Sequence, residues 1–80
     1  MPKATIDLSV EALKKHFGIT DRQAKVLYRW IVARQTRLMT KNEQSADEMT
    51  QAQHALKSDD VFPKHDQRMK ITREAEKIFL

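Results

Sequence analysis

Three histidines and a pair of adjacent aspartates are the residues of this sequence whose types most readily support catalysis or metal binding. His16, His54 and His65 are widely separated along the chain, so no two of them have the short spacing of a helical metal-ligand pair. The aspartates at 59–60 fall where a helix is expected to end, and adjacent acids there are usually solvated turn residues. The single glycine, Gly18, leaves no glycine-rich phosphate loop and no nucleophile elbow. We therefore expect neither an enzyme nor a protein with a bound metal or cofactor.

Cationic side chains are more informative, because they are unevenly distributed along a chain whose net charge is +4 at pH 7. Residues 21–41 contain six basic residues and one acid, whereas residues 42–60 contain one basic residue and five acids. Residues 61–80 are again basic, with five cations and three acids. Since DNA affinity rests largely on neutralising phosphates, the outer two segments favour a nucleic-acid partner and the middle segment favours a protein partner.

The elements that position these cations are predicted to be helices, because the sequence has one glycine, two prolines and many good helix formers. Ser9 or Asp7 is suited to cap a first helix, and Gly18 is suited to end it. Thr20 and Gln23 have the spacing of a capping box, in which each side chain binds the other residue's backbone N–H. This pair predicts the start of a second helix.

The first two predicted helices and the turn between them have the spacing of a helix-turn-helix unit. Six apolar residues of the second helix share one face: Ala24, Leu27, Tyr28, Ile31, Leu38 and Met39. Basic residues fall roughly opposite, and the candidate nucleic-acid contacts here are Arg22, Gln23, Lys25, Arg29, Arg37 and Lys41. Arginine and glutamine are able to contact base edges, and lysine is able to neutralise phosphate. The alternative is an ordinary helical hairpin with a solvated basic face.

The second half of the chain has two interpretations. Ser45 and Glu48 have capping-box spacing and predict the start of a third helix. In residues 61–72, Pro63 interrupts helical hydrogen bonding and apolar residues alternate with basic ones, which predicts a β-hairpin followed by a last helix capped by Thr72. The hairpin would carry three further candidate contacts: Lys64, Arg68 and Lys70. A continuous helix from Pro63 onward is the rival, and it would favour a protein partner.

Two patches of the chain resemble the MarR-type winged-helix transcriptional regulators. Residues 19–27 look like the family's Leu-Thr-x-x-Gln-x-x-Val-Leu stretch, and residues 66–75 look like its Asp-x-Arg wing followed by a helix start. Together the patches cover about a quarter of the chain. The resemblance implies a winged helix in which Asp66 and Arg68 form the wing tip, Arg68 reaches the minor groove, and residues 45–57 read the DNA.

The size of the chain predicts association. Of 80 residues, 40% are apolar and eight of these are alanines, so the core of a single domain spanning residues 1–80 is thin. We expect a homodimer whose contacts include Trp30, Ile78 and Phe79. The absence of cysteine and of any long apolar run predicts a cytoplasmic protein without membrane contact.

The sequence thus predicts a mostly α, small helix-turn-helix or winged-helix domain, with or without one short β-hairpin. Its predicted function is that of a cofactor-free transcriptional regulator that binds duplex DNA. The alternative is a non-enzymatic protein-binding module, an adaptor or inhibitor, that docks through the acidic middle segment or an exposed apolar flank containing Val26 and Trp30.

Overall fold

The computed structural model describes residues 7–80, which form four α-helices. The helices are α1 (Val10–Phe17), α2 (Asp21–Met39), α3 (Glu43–Leu56) and α4 (His65–Phe79). The prediction of a mostly helical chain is confirmed, and no strand occurs among residues 7–80. None of these helices is both long enough and apolar enough to cross a bilayer.

The central element is α2, a 19-residue helix against which α1, α3 and α4 all pack. Its buried residues are Ala24, Leu27, Trp30, Ile31 and Ala33. At 3.6 residues per turn these positions occupy about half of the circumference of the helix. The exposed residues of α2 that could contact a partner therefore lie mainly on the other half of the helix.

The beginnings of α1 and α2 follow the predicted capping residues. The Ser9 hydroxyl accepts a hydrogen bond from the Ala12 N–H at 3.1 Å, and Gly18 ends α1 with a φ of 62°, in the left-handed region that favours glycine. At the start of α2, Thr20 Oγ1 accepts from the Gln23 N–H and Gln23 Oε1 accepts from the Thr20 N–H, each at 3.1 Å. The capping-box prediction at Thr20 and Gln23 is confirmed.

The start of α3 differs from the prediction. The helix begins at Glu43 and its cap is Asn42, whose Oδ1 accepts a hydrogen bond from the Ser45 N–H at 2.8 Å. The Ser45 hydroxyl in turn accepts from the Asn42 N–H at 3.2 Å, so Ser45 is the third helical residue and not the cap. Two capping signals overlap here, and N-cap preference does not separate them because asparagine and serine are about equally favoured. The buried Ser45 hydroxyl donates instead to the Thr40 carbonyl oxygen at 2.6 Å, and Asn42 caps the helix.

The predicted β-hairpin in residues 61–72 is wrong, because α4 begins at His65. Pro63 lies before the first helical residue, where its missing N–H removes no helical hydrogen bond. Met69 is 38% exposed and Ile71 is 6% exposed, as expected for two residues about 200° apart on a helix. The apolar spacing of Ile71, Ala75 and Ile78 is helical, and it outweighs the short alternation that suggested a strand.

The hydrophobic core also takes in residues that the hairpin prediction assigned elsewhere. Val61 and Phe62, predicted as a strand, lie in the loop between α3 and α4 and are 6% and 2% exposed. Trp30 is 4% exposed, and the Arg34 guanidinium lies 5.4 Å from the centre of its ring. Val26 packs against the same core. The apolar flank of α2 around Val26 and Trp30 is therefore largely buried within the domain.

Candidate nucleic-acid interface

The outer face of α4 carries three exposed cations, Lys70, Arg73 and Lys77, which we call the α4 stripe. Their spacing of three and four residues places them on one side of the helix, away from the buried Ile71 and Ala75. With a rise of 1.5 Å per residue, the stripe is about 10 Å long. None of its three cations forms an ion pair with another residue of the described chain.

The two acids in the second half of α4 are directed to the neighbouring helices. Glu74 Oε1 lies 3.8 Å from His16 Nε2 at the end of α1, a pair that is ionic while the imidazole is protonated. Glu76 Oε2 lies 3.5 Å from Arg34 Nη1 on α2. These carboxylates lie on either side of the stripe. The Arg34 guanidinium lessens the repulsion between Glu76 and an approaching phosphate, whereas His16 does so for Glu74 only while its imidazole is protonated.

The start of α4 carries one acid on the same side as the stripe. Asp66 is exposed and lies four residues before Lys70, so it occupies the next position along the same face. It is also in the first helical turn, where the partial positive charge of the helix terminus stabilises a carboxylate. The positive part of this face therefore begins at Lys70.

A second basic face, the α2 stripe, consists of Arg22, Lys25 and Arg29, all of them exposed. Lys25 Nζ lies 3.1 Å from Asp21 Oδ2, and Lys14 Nζ lies 3.8 Å from the other oxygen of the same carboxylate. Arg29 Nη2 donates a hydrogen bond to Gln51 Oε1 of α3 at 3.2 Å. Two of the three cations on this face therefore already have partners in the chain.

The helix beside the α2 stripe is acidic. Glu43 and Asp47 are exposed on α3, and Glu48 lines a shallow depression together with Arg29. Residues 45–57, which the MarR resemblance assigns to DNA reading, thus lie within a carboxylate-bearing surface. Phosphate approaching Arg29 would meet the Glu48 carboxylate, which weakens the α2 stripe as a DNA contact.

The two stripes do not form one continuous surface. The ion pair between Arg34 and Glu76 places α4 against the side of α2 that carries Arg34. Lys25 lies nine residues earlier on α2, about half a turn around the helix axis from Arg34. The α4 helix therefore packs on the far side of α2 from Lys25, and one straight duplex is not able to cover both stripes.

Two of the predicted base-reading side chains have contacts inside the domain. Gln23 Nε2 donates to the carbonyl oxygen of Val61 at 2.7 Å, while its Oε1 belongs to the capping box. Arg37 is half-buried, and its Nη1 lies 3.2 Å from the Asn42 carbonyl oxygen and 3.3 Å from Ser45 Oγ. The Gln23 amide nitrogen and the Arg37 guanidinium each hold a loop against α2. The sequence predicted only the capping contact of the Gln23 oxygen.

The remaining predicted contacts are dispersed. Lys41 and Lys64 are exposed in the loops before α3 and α4. Arg68 is half-buried, and its Nη2 lies 2.9 Å from His65 Nδ1 in the first turn of α4. Asp66 and Arg68, which the resemblance places at a wing tip, are therefore helical residues.

Sequence reasoning missed Arg73 and Lys77 as candidate contacts. The signal was present, because Lys70, Arg73 and Lys77 follow helical spacing if residues 63–80 are taken as one helix. The hairpin interpretation ended at Thr72 and separated Lys70 from the other two.

The residues predicted to form a dimer interface are placed differently from one another. Trp30 belongs to the core, whereas Ile78 and Phe79 are half-buried at the end of α4. The Gln35 side chain donates to the Phe79 carbonyl oxygen at 3.4 Å, which puts this end of α4 beside the last turns of α2. Leu38 and Met39, at the end of α2, are the most exposed large apolar residues of the described chain, at 63% and 87%.

Within residues 7–80, no group of three or more histidine, cysteine, aspartate or glutamate side chains is arranged to hold a metal ion. No protein-family model, no curated protein and no solved structure matches this chain. Its function is therefore argued from the arrangement of its own residues.

Proposed function

We propose that this chain is a small DNA-binding regulator that contacts duplex DNA through the α4 stripe. The observation that carries the proposal is the exposure of Lys70, Arg73 and Lys77 on one helix face while Glu74 and Glu76 are paired with neighbouring helices. A row of cations without internal partners is able to replace the counterions that condense on a phosphate backbone. The release of those counterions supplies the driving force for binding.

The loss of the predicted hairpin changes how the basic residues reach DNA. Lys70 stays exposed on α4 and gains Arg73 and Lys77 as neighbours on the same face. Arg68, by contrast, is half-buried beside His65 and loses the wing-tip position that favoured minor-groove contact. Loss of the wing alone favours a protein partner, but α4 itself carries a row of three exposed cations. DNA therefore remains the proposed partner, and its contact moves from a wing to a helix.

A salt series tests this function. Three phosphate contacts predict that log K falls against log salt concentration with a slope of about −2.7, and additional contacts from loop lysines would steepen it. Fluorescence anisotropy with a labelled duplex of about 20 base pairs, measured from about 25 to 200 mM salt, gives this slope directly. Binding that does not change with salt, or no binding at the lowest salt, contradicts the proposal.

We also propose that the DNA-binding form is a homodimer. The exposed Leu38 and Met39 lie beside the end of α4, where Ile78 and Phe79 are only half-buried. Burying these side chains against a second copy removes apolar surface from water, at about 25 cal/mol per Å². Sedimentation across the micromolar range should show a concentration-dependent equilibrium, and a single monomeric species throughout would contradict this part of the proposal.

A second candidate function has its own observation. The acidic face of α3 and the exposed Leu38 and Met39 are the kinds of surface that favour docking on another protein. In this alternative, Leu38→Ser would abolish partner capture and charge changes on α4 would have no effect. If the DNA proposal holds, charge changes on α4 should reduce duplex binding directly, whereas Leu38→Ser should reduce it only by weakening the homodimer.

A further inference from the structure

We infer that the ligand of the α4 stripe is the phosphate backbone of a DNA duplex, held without readout of the base sequence. This inference rests on the proposed function and specifies what that function recognises. It follows from the position of α4 among its neighbours, from the internal contacts of the side chains suited to read bases, and from the burial of the aromatic residues.

The flanks of the α4 stripe carry carboxylates. Glu74 lies on one flank, 3.8 Å from His16 of α1, and Glu76 lies on the other, 3.5 Å from Arg34 of α2. Both glutamate side chains are about half exposed. A helix inserted in the major groove, which is about 12 Å wide, has a phosphate backbone along each flank, and carboxylates on those flanks would repel it. The row of cations between the two acids is therefore better suited to lie on a phosphate ridge than to enter the groove.

Two of the side chains suited to contact base edges already form hydrogen bonds within the domain. Gln23 holds the Val61 carbonyl and the start of α2, and Arg37 holds the loop before α3. Both would have to give up these hydrogen bonds before they could read a base. The stripe itself offers Lys70 and Lys77, which act as point charges, and one arginine between them.

No aromatic side chain is among the exposed residues of the described chain. Trp30 and Phe62 are 4% and 2% exposed, and Phe17, Tyr28 and Phe79 are half-buried and pack against the core. These are all five aromatic residues of the chain. Proteins that hold single strands stack unpaired bases on exposed aromatic rings, at about 1–3 kcal/mol per base. A stripe without such rings favours a duplex, whose two backbones present a denser array of charge than one strand does.

The direct test is a selection from duplex DNA with a randomised central region. The full chain is incubated at about 50 mM salt with a pool containing about 12 random base pairs, and bound and unbound duplexes are sequenced. We expect no sequence to be enriched by more than about threefold, since a good bidentate base contact alone would discriminate by about 5- to 150-fold. Enrichment of one motif by about fivefold or more overturns the inference and leaves the proposed function standing.

Two further measurements complete the test. A single strand of the same length should bind at least about fivefold more weakly than the duplex, and duplex RNA should not bind more tightly than duplex DNA. A tighter single strand or a tighter RNA duplex would overturn the assignment to DNA duplex backbone. The proposed function itself fails if no nucleic acid is retained, or if replacing Lys70, Arg73 and Lys77 by glutamine leaves duplex affinity unchanged. Either result is distinguishable from enrichment of a sequence motif, which overturns only the inference.

Discussion

The α2 and α4 stripes contain the same number of cations at similar helical spacing, yet their surroundings differ. On α2, Lys25 pairs with Asp21 and Arg29 binds Gln51 of the acidic α3. On α4, the neighbouring acids Glu74 and Glu76 pair with residues of other helices. None of the α4 cations forms an ion pair within the described chain, although the exposed Asp66 lies on the same face, whereas two of the α2 cations have partners.

This difference shows that the charge of a sequence segment does not rank the surfaces that it forms. Residues 21–41 are the most basic segment of the chain, and residues 61–80 are less basic. Folding brings Glu48 of α3 beside Arg29 of the first segment, and Arg34 of that segment pairs with Glu76 of the second. As a result, more cations lack a partner within the described chain on the α4 stripe than on the α2 stripe.

The largest single-site difference is expected between Arg73→Glu and Lys25→Glu. Arg73→Glu removes a phosphate contact and adds repulsion at the centre of the α4 stripe, so duplex affinity should fall by about tenfold or more. Lys25→Glu makes the same change in net charge, but Lys25 already pairs with Asp21. Duplex affinity should therefore fall by about threefold or less. Anisotropy titrations at one salt concentration, with circular dichroism to confirm helicity, give both values. An equal loss for the two variants would remove the distinction between the stripes.

Gln23→Ala tests whether this predicted DNA contact is structural. The change removes the hydrogen bond to the Val61 carbonyl and half of the capping box, so the free energy of unfolding should fall by about 1–2 kcal/mol. Urea denaturation measures this loss, and duplex affinity below the transition should stay within about twofold of the original. A large drop in affinity without a loss of stability would restore Gln23 as a base-reading residue and contradict its internal role.

Asp66→Lys should sharpen the comparison by lengthening the α4 stripe by one turn. It removes an acid on the stripe's side and adds a cation four residues before Lys70, so affinity should rise about fivefold and the salt slope should steepen by about 1. Asp47→Lys on α3 changes the net charge equally and serves as the control. The two variants would gain equally only if overall charge, and not position on α4, determines binding.

The smallest expected effect comes from the pair between Arg34 and Glu76. Arg34→Gln leaves the Glu76 carboxylate without its partner beside the stripe, so affinity should fall by about two- to threefold. Adding Glu76→Gln should restore it, because the repulsive charge is then gone. Failure of the second change to restore affinity would show that Arg34 acts by touching DNA itself.

Local signals in the sequence predicted local structure well. The caps at Ser9, Gly18 and Thr20, the buried face of α2 around Leu27 and Ile31, and the helical character of the chain all follow from spacing and residue type. Competing local signals gave the errors, because Asn42 displaces Ser45 as a cap and the longer helical pattern of α4 outweighs a three-residue alternation. Leu38 and Met39 continue the apolar face of α2 but extend past its packed region.

The candidate site was less predictable than the fold. Which cations are paired depends on contacts between helices, such as Arg34 with Glu76 and His16 with Glu74, that are 42 and 58 residues apart along the chain. The use of Arg37 to hold the loop before α3 is also a tertiary contact. Sequence spacing defines the faces of a helix, but it does not indicate which neighbour will lie beside each face.

The central claim is that the α4 stripe and not the α2 stripe carries the DNA contact. Two triple variants test it at the same net charge: Lys70, Arg73 and Lys77 replaced by glutamine, and Arg22, Lys25 and Arg29 replaced by glutamine. Salt-dependent duplex binding should lose about 2.7 of its log–log slope in the α4 variant and less than about 1 in the α2 variant, because each phosphate contact contributes about 0.9. A larger loss of slope in the α2 variant, with both proteins folded, would contradict the account.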